Sequence, residues 1–200
     1  MEHVHEEIYR GLKIEIIPDD GHGCHPRQDC DNLTTMVCFH RRYDLGDKHE
    51  YTPESLREYF REEKELIAIP LYLYDHSGIS ISCRSFIGRA QHAEWDSGQV
   101  GFIYMTKKVV LENWPTCKQW RVKAQKVMEQ DVKVYDDYLR GNMYGYRILN
   151  AAGEELDSCW GYIGDHDGYI LKEAKSIVDN MTNKGSTDEH GQQLMRFARL

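Results

Sequence analysis

Apolar and polar residues alternate over 8–17, where Ile8, Leu12, Ile14 and Ile16 share one parity and Lys13 and Glu15 the other, broken only at Tyr9 and Gly11. A period of two is that of a half-buried strand. Residues 18–32 have no period and are rich in Gly, Asp, Pro and His, which predicts a loop. Strand character returns over 33–43 through Thr34, Thr35, Val37 and Phe39, and Leu45-Gly46-Asp47 ends it in a turn. Thr52-Pro53-Glu54 supplies an N-cap, a proline at the first helical position and an acid in the first turn. Leu56, Tyr59 and Phe60 follow at helical spacing, so a short helix is expected to reach about Glu65.

Residues 66–74 are almost continuously apolar, Asp75-His76-Ser77-Gly78 is turn-like and 79–83 alternate again, which together predict a β-hairpin with a buried first strand. After the polar loop 85–99, another strand is expected over 100–105, with Gly98 and Gly101 letting backbones approach closely. The longest helix is predicted over 117–139 from the stripe Trp120, Ala124, Val127, Met128, Val134, Tyr135, Tyr138 and Leu139, stopped by Gly141. Residues 144–149 and 156–163 flank Asn150-Ala151-Ala152-Gly153 as a second hairpin. A further helix over 168–181 turns Ile170, Ala174, Ile177, Val178 and Met181 inward. About seven strands joined mostly by hairpins, with two or three helices packed on them, describe an α+β fold with a mostly antiparallel mixed sheet. It is read as a single domain over 1–182, followed by a polar C-terminal tail over 183–200.

Charge narrows the function classes. Lys and Arg number 25 against 33 Asp and Glu, a net charge of −8, whereas holding nucleic acid by phosphate neutralisation needs clustered cations. No apolar run approaches the roughly 18 residues that would cross a bilayer, and the first ten residues are acidic where a secretory leader is basic and then apolar. A cytoplasmic protein without a membrane partner is expected; a homo-oligomer stays open. Six cysteines, at 24, 30, 38, 83, 117 and 159, have no paired spacing and read as reduced thiols.

Four soft ligands, His22, Cys24, His25 and Cys30, crowd one loop, but the spacing of a zinc finger or knuckle is missing. The expectation is no metal; were zinc held, Cys24, His25 and Cys30 with His22 or Asp29 would hold it. Asp157-Ser158-Cys159-Trp160-Gly161 is similar to the nucleophile neighbourhood of papain-like cysteine proteases. In that family the cysteine opens a helix whose amides lower the thiol pKa. Here the segment reads as a strand, and Cys159 is expected to be a core thiol beside a packed Trp160; were it catalytic, His76 or His166 would act as base.

On a strand over 33–43, His40 and Arg42 would share one face with Cys38, opposite Phe39, Arg41 and Tyr43. A guanidinium and an imidazole side by side can grip a phosphate or a carboxylate, with Asp31, Asp44, Asp47, Asp75 and Asp96 as internal mates. Consecutive Asp75, His76 and Ser77 cannot align as a catalytic triad and read as an Asx-type turn. Nucleophile elbow, phosphate loop, dinucleotide fingerprint and H-E-x-x-H are all missing from the sequence. The 13 tyrosines and 4 tryptophans exceed what a small sheet core consumes, which points to an aromatic surface.

Four stretches carry a resemblance: residues 31–47 (DNLTTMVCFHRRYDLGD), 71–79 (LYLYDHSGI), 95–104 (WDSGQVGFIY) and 157–162 (DSCWGY). They are similar to a family of uncharacterised small proteins of bacteriophages and mobile elements, over about residues 8 to 165. The resemblance implies a phage-encoded protein in the bacterial cytoplasm, of the kind that binds host defence or nucleic-acid enzymes. The loop 21–27 lies outside it. The functional expectation is a non-catalytic protein that binds a host protein through His40, Arg41, Arg42, Tyr43, Asp47, Asp75, His76, Trp95 and Asp96. The alternative is a small hydrolase or nucleotide-acting enzyme using Cys159, with His76 as a catalytic candidate beside it, or the His40, Arg42 and Asp75 groups.

Overall fold

A computed structural model describes residues 4–20, 25–165 and 168–184. In chain order these form β1 (His5–Tyr9), β2 (Leu12–Pro18), β3 (Thr35–Cys38), α1 (Pro53–Glu62), β4 (Leu66–Asp75), β5 (Ile79–Ser82), α2 (Ala93–Asp96), β6 (Ser97–Thr106), α3 (Lys107–Asn113), α4 (Trp120–Leu139), β7 (Met143–Leu149), β8 (Glu155–Ile163) and α5 (Tyr169–Lys184). All strand pairs are antiparallel, and the fold is α+β as expected. The strands divide into two four-stranded sheets, in the orders β1-β2-β7-β8 and β3-β6-β4-β5. Two compact units result. One takes its described residues from Met1–Gly23 and Gly141–Leu200, the other from Cys24–Arg140. No helix among the described residues is long and apolar enough to cross a membrane.

In the first unit, the single strand expected over 8–17 is two. Arg10 (φ 49°) and Gly11 (φ 82°) both adopt left-handed backbone, the signature of a two-residue hairpin turn whose twist matches its strands. The break in parity at Tyr9 and Gly11 is that turn. α5 buries Ile170, Ala174 and Val178 against Leu12, Ile14, Ile16, Tyr146 and Ile148 of the sheet. Glu15, almost wholly buried, is held by Lys13 at 2.8 Å and by Arg147 at 2.6 Å. The register of β7 on β8 slips between Tyr144 and Tyr146, and there Trp160 lies on bare backbone: a Cβ on Gly145 would sit 2.2 Å from its ring.

In the second unit, β6 lies between β3 and β4, and its alternation feeds two cores. Ile103 and Met105 join Met36, Leu71, Ala124, Met128 and Tyr135 on the α4 side. Phe102 and Tyr104 join Val37, Leu56, Tyr51, Tyr59 and Phe60 on the α1 side. Three of the tyrosines counted toward an aromatic surface, Tyr51, Tyr59 and Tyr104, are therefore spent in the cluster with α1. That helix is capped as foreseen: Thr52 Oγ1 accepts from the Ser55 amide at 3.1 Å while Ser55 Oγ accepts from the Thr52 amide at 2.9 Å.

β3 stops at Cys38, not near Tyr43, so His40 and Arg42 do not share a strand face with Cys38. Its free edge is closed by Asp47, whose amide donates to the Met36 carbonyl and whose Oδ2 accepts from the Met36 amide, each at 2.8 Å. Asp47 in turn receives both sides of the Arg27 guanidinium, at 2.8 and 2.9 Å. The opposite edge, β5, is closed by α4: Asp136 Oδ1 accepts from the Ile81 amide at 2.8 Å and from Ser80 Oγ at 2.6 Å. Of the two glycines expected to permit close approach, only Gly101 does. A Cβ there would lie 1.9 Å from the Val37 carbonyl oxygen, whereas one on Gly98 would meet nothing within 4 Å.

Candidate functional site

Because β3 and β4 both run antiparallel to β6, the end of β3, the end of β4 and the start of β6 meet at one end of the sheet. The ladder of β4 on β6 slips between Leu71 and Tyr72, which face Gly101 and Gln99 and leave Val100 as the extra residue. Such a bulge bends a strand and re-aims its neighbours. Val100 uses the slip to accept from the Phe39 amide at 2.7 Å, holding the chain just past β3. A cleft of about 250 Å³ opens there, lined among others by His40, Arg42, Asp75, Trp95, Asp96 and Gln99.

Local turns place each group. After β3 the chain folds back so that His40 Nδ1 accepts from the Arg42 amide at 3.3 Å and the Tyr43 amide at 3.2 Å. With Nδ1 an acceptor, the proton of the neutral ring is on Nε2. The imidazole stacks on Tyr43 with centroids 5.0 Å apart and planes at 9°, and the Arg42 guanidinium lies 5.4 Å from the same ring. Arg42 pairs with Asp75, which also accepts from Tyr43 Oη at 3.3 Å. Arg42 is 68% exposed, so the pair is worth at most about 1 kcal/mol and serves to orient rather than to stabilise.

On the other side of the cleft, Ser77 takes left-handed backbone (φ 59°) in the turn after β4. His76 is thereby brought with Nδ1 2.8 Å from Asp96 Oδ2 of α2, its ring stacked on Tyr74 at 5.9 Å. Trp95, next to Asp96, is 88% exposed. A guanidinium, one imidazole, two carboxylates and one large bare indole thus surround a single concavity, with His76 behind Asp96. It can accept or donate hydrogen bonds in fixed directions and can bury one aromatic face.

Of the residues singled out in the sequence, His40, Arg42, Asp75, Trp95 and Asp96 line this cleft, and Tyr43 and His76 support it from behind. Asp47 is spent on Arg27 and the β3 edge, and Arg41 is exposed outside the lining. Gln99, at the end of the 95–99 segment, also lines the cleft beside the bulge. Cys159 belongs to the other unit, on β8, and is exposed rather than the core thiol expected.

Cys24 and His22 lie outside the described residues. His25 Nδ1 accepts from the amides of Arg27 and Gln28 at 3.2 and 3.1 Å, and its ring packs on Tyr138 at 4.9 Å. Cys30 is exposed, and among the described residues no three His, Cys, Asp or Glu side chains gather as a metal site.

The thiols differ in chemistry. Burial, reinforced by Asp47, pushes Cys38 up to about 12, and burial with Glu129 pushes Cys83 up to about 11. Both stay protonated at neutral pH, and the thiolate is the reactive form. At pH 8, iodoacetamide should label Cys30 and Cys159 in the native chain, with Cys38 and Cys83 labelled only after unfolding; peptide mass mapping reads the order. Ionisation of these two thiols favours the unfolded chain. The stability they contribute is complete below their ordinary value of 9.0 and lost as pH climbs through the folded values.

Compared with protein-family models, with curated proteins and with solved structures, the chain finds no significant match.

Proposed function

We propose that the chain is a binding protein of a bacteriophage or mobile element that engages a host protein in the bacterial cytoplasm, without catalysis, through the cleft between His40 and Trp95. The observation that carries this reading is Trp95, 88% exposed beside a polar concavity. Burying an indole is a large gain that a lone chain forgoes, and tryptophan and arginine are the residues that most often anchor interfaces. The surrounding charges are already oriented by internal partners: Arg42 by Asp75 and Tyr43, His76 by Asp96. Little side-chain freedom remains to be lost on association. At about 250 Å³ the cleft is smaller than most small-molecule sites and suits one inserted side chain of a partner. The phage origin rests on the sequence resemblance.

The test is affinity capture of the full chain with bacterial lysate, followed by direct binding to whichever protein is enriched. Trp95→Ala should weaken that binding by about 30-fold, the effect of losing a hot-spot residue. Arg42→Glu, which sets a second carboxylate against Asp75, should weaken it too. Val122→Ala, at an exposed position on α4 away from the cleft, should leave it unchanged. Equal binding by wild type and both cleft variants would overturn the reading.

One observation favours a second reading, a small hydrolase or nucleotide-acting enzyme. Asp96 fixes the tautomer of His76 and leaves Nε2 as a base, the arrangement that serves proton abstraction. In that reading the base would activate water, and His76→Ala would abolish turnover while circular dichroism shows the fold intact.

A further inference from the structure

Between α4 and the edge strand β5 lies a second cleft, of about 340 Å³. Four cationic side chains line it, Arg84, Arg89, Lys133 and Arg140, against two carboxylates, Glu129 and Asp136. Both acids are engaged. Asp136 accepts from the Ile81 amide and Ser80 Oγ and lies 3.8 Å from Arg140, and Glu129 accepts from Gln125 at 2.8 Å. Arg84, Arg89 and Lys133 have no carboxylate within ion-pair distance among the described residues. A chain with a net charge of −8 thus gathers, in one concavity, positive charge that it does not neutralise.

Arg89 is also pre-oriented. Its guanidinium lies 5.7 Å from the Phe86 ring and Nη1 faces the carbonyls of Arg84 and Ser85 at 3.4 and 3.3 Å. Phe86 is in turn stacked on Tyr74 at 5.3 Å. Holding a guanidinium in place before the ligand arrives lowers the entropy lost on binding. Ile81 and Val132 give the same cleft an apolar floor. Its thiol, Cys83, is kept protonated by burial, which removes a negative charge that would oppose an anion.

We infer that this cleft binds a phosphate group, free or carried by a small molecule. Mutual repulsion among the cations is relieved by a dianion whose several acceptor oxygens match the planar fork of arginine. The volume, at the low end of ligand pockets, leaves room for a phosphate and a modest organic group over the apolar floor. The site is separate from the cleft at His40 and Trp95, and its reality does not depend on the reading given to that cleft.

The experiment is calorimetric titration of the full chain with inorganic phosphate, adenosine monophosphate and adenosine, at low and at moderate salt. Saturable one-to-one binding of inorganic phosphate or of the monophosphate, weakened by salt, with none for adenosine, is expected. Equal affinity for the first two assigns the free ion, and tighter binding of the monophosphate assigns the ester. The double variant Arg84→Gln/Lys133→Gln should weaken binding at least about tenfold, as loss of charge-assisted hydrogen bonds does. Arg89→Lys, which keeps the charge and loses the fork, should weaken it as well, with far-ultraviolet circular dichroism showing both variants folded. Adenosine binding as tightly as its monophosphate, no saturation by either phosphate, or an unchanged affinity in the double variant would each overturn the inference. So would a 5′-phosphorylated oligonucleotide that binds more tightly than the monophosphate.

Discussion

Arg27→Met is expected to lower the free energy of unfolding by about 3 kcal/mol, the low end of the cost of breaking a buried ion pair, because the Asp47 carboxylate left behind is 20% exposed. The Arg27 side chain is 1% exposed, deeper than any other cation in an ion pair of the described chain. Its guanidinium binds Asp47 through two nitrogens, the Thr34 carbonyl at 2.8 Å and Thr34 Oγ1 at 3.2 Å, and lies 3.4 Å from Asp131. Methionine fills the space but strands Asp47, the Thr34 carbonyl and the Thr34–Asp131 pair, whose hydroxyl-to-carboxylate bond is 2.5 Å. Against a total stability that rarely exceeds about 15 kcal/mol, that loss is large. Urea unfolding followed by circular dichroism measures it. A loss below about 1 kcal/mol, the value of an exposed pair, would refute the assignment of this network as structural.

Gly101→Ala should be as damaging, by roughly 3 kcal/mol or more, for a steric rather than an electrostatic reason. The added methyl would lie 1.9 Å from the Val37 carbonyl oxygen and 2.9 Å from Cys38 Cα, both backbone atoms of β3. Neither can move without parting β3 from β6. Because His40 to Tyr43 hang from the end of β3, the variant should also lose cleft binding in proportion. Gly98→Ala, three residues earlier on the same strand, meets open space and should change stability by no more than about 0.5 kcal/mol. Comparison of the two melting temperatures isolates the close approach from any general effect of removing a glycine.

Elements governed by local chemistry were legible in the sequence. The α1 cap at Thr52-Pro53, the hairpin around Asn150 and most of the stripe of α4 depend on residues a few positions apart, and the structure has them, with Val132 buried where Val134 is expected. Asn150 Oδ1, for example, accepts from the amides of Ala152 and Glu154, each at 2.9 Å. The gathering of His40, Arg42, Asp75, Trp95 and Asp96 is legible as a dense polar string beside two turns, though not as one strand face. Residues 39–43 alternate like a strand, and only the fold-back onto His40 Nδ1 reveals the turn. The structural role of Asp47 is not legible, because its partner Arg27 lies twenty residues away in an aperiodic loop and a distant ion pair leaves no local mark. α3 was missed because seven residues capped by Thr106 are too short to show a period.

The sheet that pairs β2 with β7 joins segments that in the sequence lie before β3 and after α4. As the polypeptide leaves the ribosome, the second unit has all its strands once Arg140 has emerged, and domains commonly fold during synthesis as they are completed. The β1–β2 hairpin must wait for β7, and a lone hairpin is marginal in water. Until Met143 and the segment after it are translated, Leu12, Ile14 and Ile16 have no apolar cover from β7 or α5, a nascent-chain surface of the kind that chaperones grasp.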